Sequence, residues 1–223
     1  MNPDKFKDIT GYQFNNSEYL EQALTHRSVS RLNNNERLEF LGDSILNLSI
    51  SDYIYLHFPK SDEGELSRIR ASLVKEKTLA VVAKGIGLGD YIHLGGGELK
   101  SGGYRRESIL SDALEAVIAA VYLDSDYPTT HQMVIHLFDH QLRHIPADSS
   151  LKDPKTRLQE QLQSKQHELA VYKVDQTTGK SHNQIFHVSC RLDSLNLISQ
   201  GSGTSRKKAE QLAASKMLEK LAK

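Results

Sequence analysis

One change of hydrophobic period restricts this 223-residue chain to two units of different class. From Ile145 to Pro154 the sequence runs through two prolines and several small polar residues, the composition of a linker. Before that seam, apolar residues recur at helical spacing, as in Leu38, Leu41, Ile45 and Leu48, in Leu114, Val117, Ile118 and Val121, and in Met133, Leu137 and Leu142. Alternating strand patterns are few there. After the seam a short helix is expected over 156–165, then strands over 170–176, 184–192 and 195–201. Ser205 to Ala222, rich in Ala, Lys, Glu and Leu, predicts a final helix. The expectation is a two-domain chain: an all-α domain over 1–145, a linker over 146–153 and an α+β domain of order αβββα over 154–223.

The zero net charge conceals a division at the same place. Up to Ser150 there are 15 Lys and Arg against 21 Asp and Glu, and from Leu151 onward 13 against 7. An acidic unit joined to a basic one suggests that one binds cations while the other meets a polyanion. A membrane span is not expected, because the longest apolar run, Ala116 to Leu123, falls far short of the ~20 residues one needs. No basic stretch followed by an apolar block opens the chain, which gives no sign of a secretory signal. The single cysteine, Cys190, cannot form an internal disulfide, so a reducing, cytoplasmic setting is expected.

Carboxylates carry the chemistry of the first unit. Glu36, Glu39 and Asp43 stand at i, i+3 and i+7 and share one helical face, which Leu46 and Ile50 continue in apolar form. Asp112 and Glu115 repeat the arrangement beside Ala119, and small residues there permit close approach of another helix. Semi-buried carboxylates brought together raise one another's pKa. A hard divalent cation with a preference for oxygen, such as Mg²⁺, removes the conflict and can support phosphoryl chemistry. Glu39, Asp43, Asp112 and Glu115 are the candidate ligands. Pairing with Arg37, Arg68 or Arg70 at a solvated surface is the alternative that spacing leaves open.

The second unit reads as an RNA module. The major groove of A-form RNA is too narrow for side chains, so a protein spans the minor groove and touches phosphates on either side. Thr156, Gln159, Glu160 and Gln163 form a polar helix face, and Gly179 to Asn183, with His182, forms a loop between strands. Ser205 is the expected N-cap of a helix that opens with Arg206, Lys207 and Lys208, so its dipole and three cations meet phosphates together.

Two resemblances join these readings. The segment from Asn35 to Ser44 resembles the signature of the ribonuclease III family. It is accompanied in order by Ala23 to Ser28, Asp62 to Ala71, Leu99 to Gly103 and the Asp112/Glu115 helix. The stretch Gly201 to Glu210 resembles the start of the final helix in the double-stranded RNA-binding domain. The resemblance implies that Glu39, Asp43, Asp112 and Glu115 are catalytic, metal-binding acids, with Asp43 and Glu115 least tolerant of loss. It implies supporting roles for Glu36, Glu63 and Ser44. It further implies Mg²⁺, with Mn²⁺ able to substitute, and a homodimer that cuts both strands of double-stranded RNA. Products would carry 5′-phosphate and 3′-hydroxyl ends with short 3′ overhangs, and ribosomal RNA precursors, with some mRNA and tRNA precursors, would be substrates. The rivals are a non-cleaving double-stranded RNA-binding scaffold and a small-molecule phosphohydrolase.

Smaller signals receive plainer readings. His136, His140 and His144 at i, i+4 and i+8 read as a polar helix face rather than a zinc site, since no further ligand is near. Gly95 to Gly97 reads as a turn, with Lys100, Arg105 and Arg106 placed to meet RNA. Cys190 reads as core. Phe40 and Leu41 are expected against a second subunit or inside the core.

Overall fold

In the computed structural model, residues 6–7, 10–145, 152–179 and 184–222 are described. The chain divides into two compact units, Met1–Pro146 and Ala147–Lys223.

The first unit is helical. Its longer elements are α1 (Ser17–Leu24), α2 (Glu36–His57), α3 (Glu63–Val74) and α4 (Glu76–Gly85). There follow a short α5 (Gly96–Lys100), α6 (Glu107–Asp124), α7 (Tyr127–Leu137) and a short α8 (Asp139–Arg143). Short polar side chains start several of them. Asn16, Asp62 and Asp126 each accept a hydrogen bond from a first-turn amide of α1, α3 and α7, which satisfies donors that a helix otherwise leaves open.

Helix α6 is the axis of this unit. Every residue from Ala116 to Val121 is fully buried, because α1, α2, α4 and α7 pack around it. A helix apolar on all sides has no other stable place. Helix α2 lies against α6, and its Leu38, Ile45, Leu46 and Ile50 are all in the core. Leu46 and Ile50, the apolar continuation of the acid face, are fully buried, while Leu48 is 55% exposed. Phe40, Leu48 and Tyr55 face outward.

Two local expectations also change. The glycines at 96 and 97 open α5 instead of making a simple turn. The histidine series does not share one helix, since α7 ends at Leu137 and α8 begins at Asp139. His140 and His144 stack at 4.4 Å, and among the described residues no histidine joins a metal-ligating group.

The second unit follows the expected order with shifted boundaries: α9 (Pro154–Ser164), β1 (Val171–Thr178), β2 (Ile185–Leu192), β3 (Leu197–Gly203) and α10 (Arg206–Leu221). The strands form one antiparallel sheet in the order β1-β2-β3. Leu158 and Leu162 of α9 meet Cys190, Leu192, Ala213, Ala214 and Met217 in its core. Burial pushes the Cys190 thiol pKa up, as suits a packing residue and not a nucleophile.

Candidate functional site

The acids of the first unit meet where α2 crosses α6, and a glycine sets the crossing. A Cβ on Gly42 would overlap the Glu115 carbonyl oxygen and lie 2.5 Å from the carbonyl carbon, so only glycine lets the two backbones approach this closely. That approach brings Glu39 of α2 to Asp112 and Glu115 of α6. Each offers a carboxylate oxygen, and the three oxygens lie within 4.8 Å of one another.

Proximity and partial burial load these groups with unfavourable charge. Burial, then Asp43, Asp112 and Glu39, push Glu115 up to about 8. Glu39 is raised by burial and then by Asp112. Asp112 is raised by burial, which the Ser111 hydroxyl, His26 and Arg27 partly offset. Among the described residues, no cation forms an ion pair with any of the three. A cluster of hard oxygen donors that repel one another, with Arg27 near but in no ion pair with them, fits a divalent cation with oxygen preference.

Asp43 stands just outside that triad. It is exposed, and its Oδ1 accepts a hydrogen bond of 2.8 Å from Asn47 Nδ2, yet its charge is the second largest influence on Glu115. Glu36 lies at the rim, 3.3 Å from Arg27 Nη1. It lines a cavity of about 240 Å³ together with Glu39 and Asp112. Ser44 is exposed and donates to the Phe40 carbonyl, at 3.5 Å. Glu63 accepts from Ser67 Oγ at 2.8 Å and lines a different groove, with Leu48, Asp52 and Tyr55. The chain thus gathers Glu36, Glu39, Asp112 and Glu115, keeps Asp43 beside them, and leaves Ser44 and Glu63 apart.

Sequence reasoning missed Gly42 and Asn35. Gly42 carried a usable signal, a lone glycine inside a long apolar helical pattern. Asn35 opens the segment that carries the family resemblance, but no role was read for it; it is 2% exposed, caps nothing with its side chain, and its Nδ2 has no hydrogen-bond partner.

In the second unit, Gln159, Glu160 and Gln163 are exposed along α9, while Thr156 Oγ1 donates to Asp153 at 3.1 Å. Glu160 is held by Lys152 Nζ at 2.8 Å. Ser205 caps α10 by accepting from the Lys208 amide at 3.3 Å. Lys207 and Lys208 project from the first turn, and Arg206 Nε contacts Glu210 at 2.9 Å. His182 lies outside the described residues. A capped helix start with free amides and cations presents a ready phosphate-binding end.

Known proteins are similar to this chain in both units. Residues 16–142 match the family profile described as Ribonuclease-III-like, and residues 154–221 match the double-stranded RNA binding motif. The chain is 55% identical to Ribonuclease 3 of Histophilus somni (strain 2336), over 99% of both chains. It is 54% identical to Ribonuclease 3 of Glaesserella parasuis, again over 99% of each. The crystallised nuclease domain of ribonuclease III from Campylobacter jejuni is similar in structure, with a TM-score of 0.62 at 40% identity; the match covers 64% of this chain and 99% of that one.

Proposed function

The chain belongs to the ribonuclease III family and is an endoribonuclease of double-stranded RNA, and we propose that it works with Mg²⁺ at Glu39, Asp43, Asp112 and Glu115. The observation that carries the reading is the gathering of three carboxylates within 4.8 Å at the α2–α6 crossing. A non-cleaving scaffold would gain nothing from such a cluster beside a polyanion.

When bound, a hard divalent cation supplies a nucleophilic water and stabilises charge on the leaving 3′-oxygen. The chain's own residues hold the geometry. Glu39 and Glu115 face each other across the crossing that Gly42 permits, and Asp112 completes the set one turn before Glu115. Asp43 adds negative charge at the rim, where a second ligand position would lie. Mn²⁺ offers the same oxygen preference and would substitute. Attack through water yields 5′-phosphate and 3′-hydroxyl ends. No covalent intermediate is required, because no nucleophile–base pair stands at the site.

The second unit holds the duplex through Thr156, Gln159, Glu160, Gln163, His182, Ser205, Arg206, Lys207 and Lys208. The domains run 1–145 and 154–223, joined by 146–153. One acid set cuts one strand, so staggered cutting of both strands with short 3′ overhangs calls for a homodimer with two sites. The exposed Phe40, Leu48 and Tyr55 give α2 an apolar outer face for that contact. In the Campylobacter jejuni protein, the nuclease domain contains a region involved in dimer formation that shows structural flexibility. Precursors of ribosomal RNA, with some mRNA and tRNA precursors, are the proposed substrates. The chain would meet them in the cytoplasm; among the described residues no helix is long and apolar enough to cross a membrane.

The test is cleavage of an end-labelled, fully paired RNA duplex in Mg²⁺ and in Ca²⁺. Staggered products with 5′-phosphate ends in Mg²⁺ alone are expected. Glu115→Gln should abolish cutting and leave duplex binding nearly intact; equal cutting by the variant would refute the site assignment.

A further inference from the structure

The second unit meets RNA with two helices, and one buried carboxylate stands between them. Glu210, in the second turn of α10, is 9% exposed. Its Oε1 accepts from Arg206 Nε at 2.9 Å, within α10. Its Oε2 accepts from Lys155 Nζ at 2.8 Å, across to the first turn of α9. We propose that Glu210 is a positioning residue: with Lys155 it fixes the spacing between the RNA-facing ends of α9 and α10, and so makes the unit select RNA duplexes over DNA. The inference rests on the RNA-binding reading of this unit and adds a determinant of duplex form to it.

Lys155 is held from two sides, since its ammonium also lies 4.5 Å from the centre of the Tyr172 ring on β1. The link thus joins α9, β1 and α10 at one point. The apolar core that the two helices share, Leu158 and Leu162 with Ala213, Ala214 and Met217, lies farther along both. Near the ends that face RNA, the ion pair makes the connection.

Its charge works against binding. Glu210 engages two cations that could otherwise meet phosphate, and an acid at this place weakens attraction for any polyanion. Burial alone would raise its pKa, yet the hydrogen bonds from Lys155 and Arg206 more than offset that and leave it below the ordinary carboxylate value. A buried ion pair adds little stability, because apolar side chains of similar size often serve as well; what it can supply is one geometry.

Geometry is what discrimination needs. On A-form RNA one element lies in the wide minor groove while another meets phosphates across the adjoining narrow major groove. In B-form DNA the major groove is about 12 Å wide and the minor groove about 6 Å, so the same pair of contacts falls at another separation. Phosphate contacts alone carry no such information. A fixed separation does.

The experiment uses the full chain with a paired RNA duplex and a DNA duplex of the same sequence, and measures affinity for each in Ca²⁺ across a salt series. Glu210→Leu keeps the site filled and breaks the link. It should lower the preference for RNA over DNA by about 10-fold, the effect of one charge-assisted hydrogen bond. Because Lys155 and Arg206 are released, binding to DNA should tighten, and its salt dependence should steepen by up to about 2. In Mg²⁺ the loss on RNA should appear in KM and not in kcat. The melting temperature should stay near that of wild type, since the cations left behind have side chains 44% and 65% exposed and can turn to water. Lys155→Met breaks the link from the other end and should lower the same preference. The double variant should fall no further than the worse single one, because all three have lost one shared interaction.

An unchanged preference in either single variant, or additive losses in the double, would overturn the proposal. So would weaker binding of Glu210→Leu to both duplexes, or a preference lost only together with melting temperature, the marks of a merely structural pair. If Glu210→Leu fails to fold, the preference of Lys155→Met decides alone. A wild-type chain that binds the two duplexes equally would sink the RNA reading itself, and the proposal with it.

Discussion

Gly42→Ala sets two rules against each other, and the structure decides the sign. Helix propensity alone predicts a gain, since alanine in a helix interior is better than glycine by about 1 kcal/mol. Yet the new Cβ would lie 2.5 Å from the Glu115 carbonyl carbon, where ordinary contact begins at 3.4 Å. The carbonyl oxygen lies closer still, so helices α2 and α6 must part by more than about 1 Å, a gap that forfeits roughly a quarter to a half or more of each affected dispersion contact. The seam affected holds Leu46, Ile50, Leu114 and Ile118, all fully buried. Overpacking of a tight core costs about 1–3 kcal/mol, and this contact belongs at the upper end because the obstacle is backbone with no rotamer to change. After the propensity gain, a net loss of about 2 kcal/mol is expected. Urea unfolding of the helical signal should show it as a lower midpoint at unchanged slope. Cleavage should fall by about 100-fold as well, because a displacement of roughly 1 Å spoils the facing of Glu39 and Glu115. A variant as stable as wild type, or more stable, would refute the claimed closeness of the crossing.

Two further outcomes are expected. Without metal, Glu115 has a folded pKa near 8 against an ordinary value of 4.5. Its ionisation therefore destabilises the fold by an amount that is absent below 4.5, grows as pH rises, and is complete above about 8. Glu115→Gln in chelator should accordingly raise the melting temperature at about pH 9 and leave it nearly unchanged at about pH 4. The gain should be about 1–2 kcal/mol once solvent access is discounted, and equal gains at both pH values would contradict the origin assigned to the shift. Substituting Lys207 and Lys208 with alanine should weaken duplex binding and make its salt dependence shallower by up to about 2; an unchanged slope would count against α10 as a phosphate contact.

Much of this architecture was legible along the chain, and what was missed has a common cause. Glu39 and Asp43, Asp112 and Glu115, and the Ser205 cap are set by spacing within one helix, which sequence displays directly. Leu46 and Ile50 announced that the acid face turns inward. Which residues of the two apolar stripes on α2 are buried depends on where α6 lies, and spacing alone does not display that Leu48 is exposed. The same holds for Gly42, whose significance arises only when a second helix stands opposite. The shift of β3 to Leu197–Gly203 follows from a short 3-10 turn over Asp193–Leu195, centred on Ser194 where a turn is expected but running into the first residue of the expected strand. Asp43 lies outside the triad because its Oδ1 is engaged by Asn47, one helical turn along.

The complete burial of Ala116 to Val121 has a kinetic consequence. Amides at the centre of such a helix exchange with solvent only when the whole unit opens, whereas loops and chain ends exchange through small local openings. Glu115 adjoins this stretch, so the acids of α6 move in register with the slowest-exchanging part of the chain. Native-state hydrogen exchange should show protection at Ala116 to Val121 equal to the global unfolding free energy of the first unit. Loss of cleavage on mild warming would then coincide with unfolding of that unit and not precede it.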